Sequence, residues 1–131
     1  MSQAASQAAI FYRDVEATGK LWTLKDEGGF PAPKNSEGIR TMPFWSSKSR
    51  VELIIKNVAA YNDFEPVEIS IDEFYNCWLM KLKADGQLVG VNWSGKNAIG
   101  YDLKPEILIK WIREIRPVRS GWIKRLIEWK T

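Results

Sequence analysis

Between Val67 and Trp93 the chain spells out a strand, a helix and a second strand, with a chemical marker at nearly every junction. Val67-Glu68-Ile69 alternates apolar and polar residues, the pattern of a strand with one buried face. Ser70-Ile71-Asp72-Glu73 has the form of a capping box, in which the Ser70 hydroxyl accepts from the Glu73 N–H and the Glu73 carboxylate reaches back to the Ser70 N–H. Ile69 and Phe74 occupy the two positions of a hydrophobic staple. Ile71, Phe74, Tyr75, Trp78, Leu79 and Leu82 then recur at helical spacing as one apolar stripe. Asp85-Gly86 stops the helix, because glycine tolerates the left-handed turn that closes a C-terminus. Leu88 to Trp93 reads as a strand with Val89, Val91 and Trp93 on one face. If the two flanking strands are parallel neighbours, their crossover is right-handed.

The remaining elements follow the same rules. Ser2 to Thr18 predicts a helix with Ala8, Phe11, Tyr12 and Val15 inward and Gly19 as its stop. Leu21 to Leu24 is strand-like, Asp26 to Gly29 is a turn, and Phe30 to Gly38, with Pro31 and Pro33, is an exposed loop. Gly38 to Phe44 predicts a second strand in which Pro43 requires an edge or an end. Ser46 or Ser47 caps a helix to about Val58, with Val51, Ile54, Ile55 and Val58 inward. Ser94 to Asn97 predicts a hairpin turn into a strand from Ala98 to Tyr101. Asp102 starts a further helix, with Leu108, Trp111, Ile112 and Ile115 inward and Pro117 as its end. Five short strands mixed with helices predict an α+β single domain, a small mixed or antiparallel sheet with helices packed on it. We place that domain at residues 1–116 and a basic amphipathic helix at 117–131, capped by Ser120.

Composition sets the functional limits. The chain has 131 residues, one cysteine and no histidine. Without histidine, Ser-His-Asp and Cys-His catalysis and His-containing zinc sites are excluded. Cys77 alone forms no intrachain disulfide. Met1 to Ala9 lacks the basic start and apolar segment of a secretory signal, and no run reaches the ~18 apolar residues of a membrane span. These features predict a cytoplasmic protein with no transmembrane segment.

Gly90-Val91-Asn92-Trp93-Ser94-Gly95-Lys96 has the spacing of a phosphate-binding loop. Asn97 replaces the required Ser or Thr, however, and a strand follows where the motif needs a helix, so a hairpin turn is the better reading. Asp72 and Glu73 suit a helix N-terminus, and Asp26 and Glu27 suit a solvated turn. Cys77 beside the apolar stripe reads as a small buried hydrophobe. We assign no catalytic residue, no cofactor and no metal ligand. Trp22, Trp78 and Trp111 fall on apolar faces and are expected in the core. Trp45, Trp93, Trp122 and Trp129 fall near element ends or in the tail and are expected to reach the surface.

Leu21-Trp22-Thr23-Leu24, Met42-Pro43-Phe44-Trp45, Ile69-Ser70-Ile71-Asp72-Glu73-Phe74 with Trp78-Leu79, Val89-Gly90-Val91 and Lys104-Pro105-Glu106-Ile107-Leu108, in that order, resemble a bacterial family. It is known only as domain of unknown function 2750. The resemblance covers about Phe11 to Ile112. It departs at Trp45-Ser46, where the family often has Trp-Pro, and it does not reach the tail. It implies the fold and a bacterial, cytoplasmic protein, and it brings no activity, cofactor or catalytic residue.

The leading expectation is a non-enzymatic module that binds another protein or itself, for example an immunity or antitoxin-like protein. Trp45, Trp93, Trp122, Arg125 and Trp129 are its contact candidates, since aromatics and arginine dominate interface energetics. The alternative is a small-ligand-binding protein or enzyme with a pocket at the sheet edge, lined by residues such as Trp45 and Trp93. Nucleic-acid binding is not expected: the net charge is only +3 and no motif accompanies it. Charge is uneven, because Lys110, Arg113, Arg116, Arg119, Lys124, Arg125 and Lys130 face only Glu114 and Glu128. That segment carries +5 and leaves −2 on the rest, a distribution that steers an acidic partner.

Overall fold

A computed structural model describes residues 3–119. Helix α1 spans Gln3–Thr18, followed by strands β1 (Lys20–Lys25) and β2 (Thr41–Phe44) and helix α2 (Lys48–Asn57). A 3-10 turn at Ala59–Tyr61 leads into β3 (Glu65–Ser70). Helix α3 starts at Ile71–Glu73, passes through a π turn at Phe74–Trp78 and continues over Leu79–Ala84. Strands β4 (Leu88–Ser94) and β5 (Ile99–Leu103) and helix α4 (Pro105–Arg119) complete the described residues.

The five strands form two small sheets. β1 pairs antiparallel with β3, Leu21 opposite Ile69. β2 runs parallel to β4, and β4 runs antiparallel to β5. Pro43, which has no N–H to offer, lies on β2 at the edge of the three-stranded sheet, as its chemistry requires. Reciprocal backbone bonds between Trp22 and Trp45, at 2.8 and 2.7 Å, stitch one sheet to the other. The Thr23 hydroxyl adds a bond to the Pro43 carbonyl at 2.9 Å. The architecture is a single α+β domain. β3 and β4 lie in different sheets, so the parallel pair is β2 with β4 and the conditional crossover between β3 and β4 does not arise.

Two apolar clusters hold the fold. The larger gathers Phe11 and Val15 from α1, Phe74 and Leu79 from α3, and Leu108 and Ile112 from α4, with Phe44, Val89 and Val91 from the sheet. The smaller packs Val51, Ile54 and Val58 of α2 against Leu24, Trp45, Tyr61, Trp93 and Ala98. These helix residues are ones that their sequence spacing marked as inward-facing, and burying them removes apolar surface from water.

Several local expectations change. Ser70 caps α3 by accepting from the Glu73 N–H at 3.0 Å, but the Glu73 carboxylate turns instead to the Trp78 indole N–H at 2.9 Å. Ser47, not Ser46, caps α2, accepting from the Arg50 N–H. Cys77 is exposed. It sits in the π turn, where the Leu79 N–H bonds to the Phe74 carbonyl five residues back, and at helical spacing it falls roughly 130° round from the centre of the buried stripe. Asp102 belongs to β5, pairing with Gly90, and α4 begins at Pro105, where a first helical residue needs no N–H. Pro117 does not end α4, which runs to Arg119. Its missing N–H falls in the final turn and removes only one helical bond. The tail helix expected from Ser120 lies outside the described residues.

Two tryptophans reverse their expected places: Trp45 is fully buried and Trp93 is 8% exposed. Trp22, Trp78 and Trp111 are half-buried and pack against the two clusters, on the side expected of them. Trp93 also leaves the face it was expected to share with Val89 and Val91. Asn92 takes a φ of 49° and the β4–β5 register shifts between Val91 and Ser94. That bulge changes the strand's alternation, sending Val91 into the larger cluster and Trp93 into the smaller one.

Candidate functional site

The bulge at Asn92 is built from buried polar contacts. Asn92 Oδ1 accepts from the Ser46 N–H at 2.8 Å, and its Nδ2 donates to Ser46 Oγ at 3.0 Å. Asparagine is among the few residues that visit left-handed backbone readily, and here its amide is held on both sides. Ser46 Oγ donates onward to Asp14 of α1 at 2.9 Å. The Trp45 indole donates to the Trp93 carbonyl at 2.8 Å. Trp45 is therefore the internal support of Trp93, not a surface contact.

With its backbone fixed in this way, Trp93 lies over glycine. Pro43, Gly90 and Asp102 form one row across β2, β4 and β5. A Cβ at Gly90 would come 2.6 Å from Trp93 Cζ2, and one at Gly100 would come 2.8 Å from Cδ1. The two glycines leave the space that the indole fills. At the end of the row the Trp93 N–H donates to Asp102 Oδ1 at 2.9 Å.

Beside this indole is a cavity of about 350 Å³. Thr41, Trp93, Gly100 and Asp102 come from the three-stranded sheet, Val58 and Tyr61 from the end of α2 and its following turn, and Lys34 from the loop before β2. The loop is held in shape locally. Asn35 Oδ1 accepts from the Glu37 and Ile39 N–H groups at 2.9 and 3.0 Å, and the Thr41 N–H bonds the Pro33 carbonyl at 2.9 Å.

Three features give the cavity chemical character. Met42 and Phe44 pack with the larger cluster, so strand alternation turns Thr41 to the cavity side. Thr41 is 1% exposed, and its hydroxyl oxygen has no hydrogen-bond partner among the described residues. Buried polar groups are nearly always satisfied, so this oxygen stands out among the residues that line the cavity. Burial pushes the Asp102 carboxyl above its ordinary range, while the Trp93 hydrogen bond acts in the opposite direction. Burial likewise raises the Tyr61 phenol, which stays protonated at neutral pH. Together these groups offer hydrogen bonds and charge against an apolar wall.

A second cavity of about 390 Å³ opens near α3, lined by Phe30, Met42, Cys77, Trp78, Lys81 and Gln87. Phe30 is 38% exposed and meets the Trp78 ring edge-on, with centroids 4.8 Å apart. Among the described residues, no group of three Cys, Asp or Glu side chains is placed to hold a metal ion. No described helix is long and apolar enough to cross a membrane.

The family described as "Protein of unknown function (DUF2750)" matches residues 8–112. The chain belongs to this family. The match takes in every strand and all of α1 to α3 apart from the first residues of α1, so the family shares the elements that build the first cavity. No curated protein matches the sequence. Among solved structures, the chain is similar to Anabaena Tic22 (protein transport), at 12% identity and a TM-score of 0.38. That alignment covers 61% of this chain, which spans 45% of the Tic22 chain.

Of the residues expected to contact a partner, Trp93 lines the first cavity and Trp45 holds it from behind. Trp122, Arg125 and Trp129 lie outside the described residues. Sequence reading did not single out Lys34, Thr41, Tyr61 or Asp102. The available signal was small: Gly90 and Gly100 flank Trp93, and an asparagine interrupts the apolar strand just before it.

Proposed function

We propose that this domain is a non-catalytic binding module that takes a small polar molecule in the cavity beside Trp93. The observation that carries this reading is the cavity lined by both Asp102 and Thr41, the latter with a buried hydroxyl that has no protein partner among the described residues. Ligand pockets combine mostly apolar walls with a few convergent polar groups, and this cavity has that composition. Exposed, unpaired Cys77 suits a reducing compartment. We propose a cytoplasmic location on this ground. A thermal-shift screen of small polar metabolites tests the reading, run on the native protein and on Asp102→Asn, which keeps an acceptor for the Trp93 indole. Compounds that raise the melting temperature of the native protein but not of the variant support it. A screen without hits, or hits that stabilise both proteins equally, overturns it.

The second reading, a protein-binding module of which an immunity or antitoxin-like protein is one form, is favoured by the exposed Phe30 edge beside Trp78 and Lys81. Its occupant would be a partner segment carrying an apolar side chain next to an acidic one. A photo-crosslinker at Phe30 should then capture one partner in cells and lose it on Lys81→Glu. Capture that persists in Lys81→Glu, or that occurs equally from a crosslinker at exposed Ile107, contradicts this reading.

A further inference from the structure

The cavity beside Trp93 carries one side chain of each charge. Lys34 and Asp102 both line it, yet neither takes part in an ion pair among the described residues. Asp102 gives one oxygen to the Trp93 indole, which fixes the carboxylate at the end of the Pro43–Gly90–Asp102 row. Its other oxygen has no hydrogen bond among the described residues. Lys34 comes from the loop side of the cavity. Val58, Ala60, Tyr61 and Ala98 supply apolar lining. Thr41 lines the sheet side.

We propose that the ligand is a small zwitterion of the amino-acid type, with its ammonium on Asp102, its carboxylate on Lys34 and a short apolar side chain against the Val58–Tyr61 wall. This rests on the pocket reading above. A cation alone would leave Lys34 beside it as a like charge, and an anion alone would face Asp102 in the same way. Only a ligand with both charges meets both groups favourably, and charge-assisted hydrogen bonds are the stronger kind. Burial also disfavours the ionised form of Asp102, a cost that an ammonium group offsets. A cavity of about 350 Å³ is at the small end for ligand sites, which suits an amino acid.

The test is calorimetric titration of the full chain with small apolar amino acids, each beside its two halves. For valine these are isobutylamine, which lacks the carboxylate, and isovalerate, which lacks the ammonium. At least one amino acid is expected to bind about tenfold or more tightly than either half, as hydrogen bonds to charged groups are worth about 1.5–3 kcal/mol each. Lys34→Gln should reduce its affinity to that of the amine, and Asp102→Asn to that of the acid. An amine or acid that binds as tightly as its parent overturns the zwitterion assignment. If no amino acid binds while a compound from the metabolite screen still does so in an Asp102-dependent way, the zwitterion assignment falls and the pocket stands. If nothing in either set binds, both fall.

Discussion

The indole of Trp93 occupies the space that a side chain at Gly90 would need. A methyl group there would stand 2.6 Å from Cζ2 and closer still to Cε2 and Nε1. The ring cannot retreat easily, because its backbone is held by Trp45 and its N–H by Asp102. Gly90→Ala should therefore cost about 1–3 kcal/mol, the usual range for overfilling a packed core. The midpoint of urea denaturation measures it, and an unchanged midpoint would mean that the ring moves freely.

Asn92 supplies the bulge that puts Trp93 on its side of the sheet. Asn92→Ala keeps the left-handed backbone requirement, removes the amide and leaves the buried Ser46 N–H without its acceptor, so a loss of about 2–4 kcal/mol is expected. Asn92→Gly also loses the amide but relieves the backbone, and should cost less than Asn92→Ala. The reverse order in chemical denaturation would show that backbone conformation plays no part.

These two residues mark where the sequence stops being legible. The succession of strands and helices along the chain, the helix faces and the Ser70 cap follow from local patterns of three to eight residues, and the structure keeps them. The bulge does not, because left-handed geometry at Asn92 depends on Ser46, which is 46 positions away. Once that residue is left-handed, the alternation used to place Trp93 no longer applies. The same non-local contact buries Trp45, whose position at the end of a strand suggested exposure. Cys77 adjoins the stripe in sequence, which suggests burial, but a 3.6-residue period sets it roughly 130° from the stripe's centre, and it is exposed. The cavity itself joins the loop before β2, the turn after α2 and the β4–β5 hairpin, and no short motif encodes such a meeting.

Core truncation should follow burial. Phe74 is fully buried, and Phe74→Ala is expected to cost about 3–5 kcal/mol. Half-buried Trp78 should cost less on replacement by alanine, and Ser70→Ala, which removes one cap, about 1 kcal/mol. Thermal or urea melts of the three variants rank them. A Ser70→Ala loss equal to that of Phe74→Ala would contradict the assignment of the core.

The Asp102 carboxyl gives stability a pH dependence of definite sign. Burial raises it above its ordinary value of 3.8, so the folded state keeps this proton to higher pH than the unfolded chain does. Its favourable contribution is complete below the unfolded value and is lost as pH rises through the raised one. Asp102→Asn should remove that part of the slope. The check is the difference in melting temperature between the two proteins from about pH 3 to pH 6. A difference that stays constant with pH would show that Asp102 titrates alike in both states.

The measurement that bears most directly on the pocket is amide NMR of the isotopically labelled chain, titrated with the best compound from the metabolite screen. Shift changes should concentrate on Lys34, Asn35, Thr41, Tyr61, Gly100 and Asp102 and on the Trp93 indole N–H, and should saturate at one site. They should vanish in Asp102→Asn. Changes that gather instead on Phe30, Trp78 and Lys81, or that spread over the surface without saturating, would contradict a small-molecule site beside Trp93.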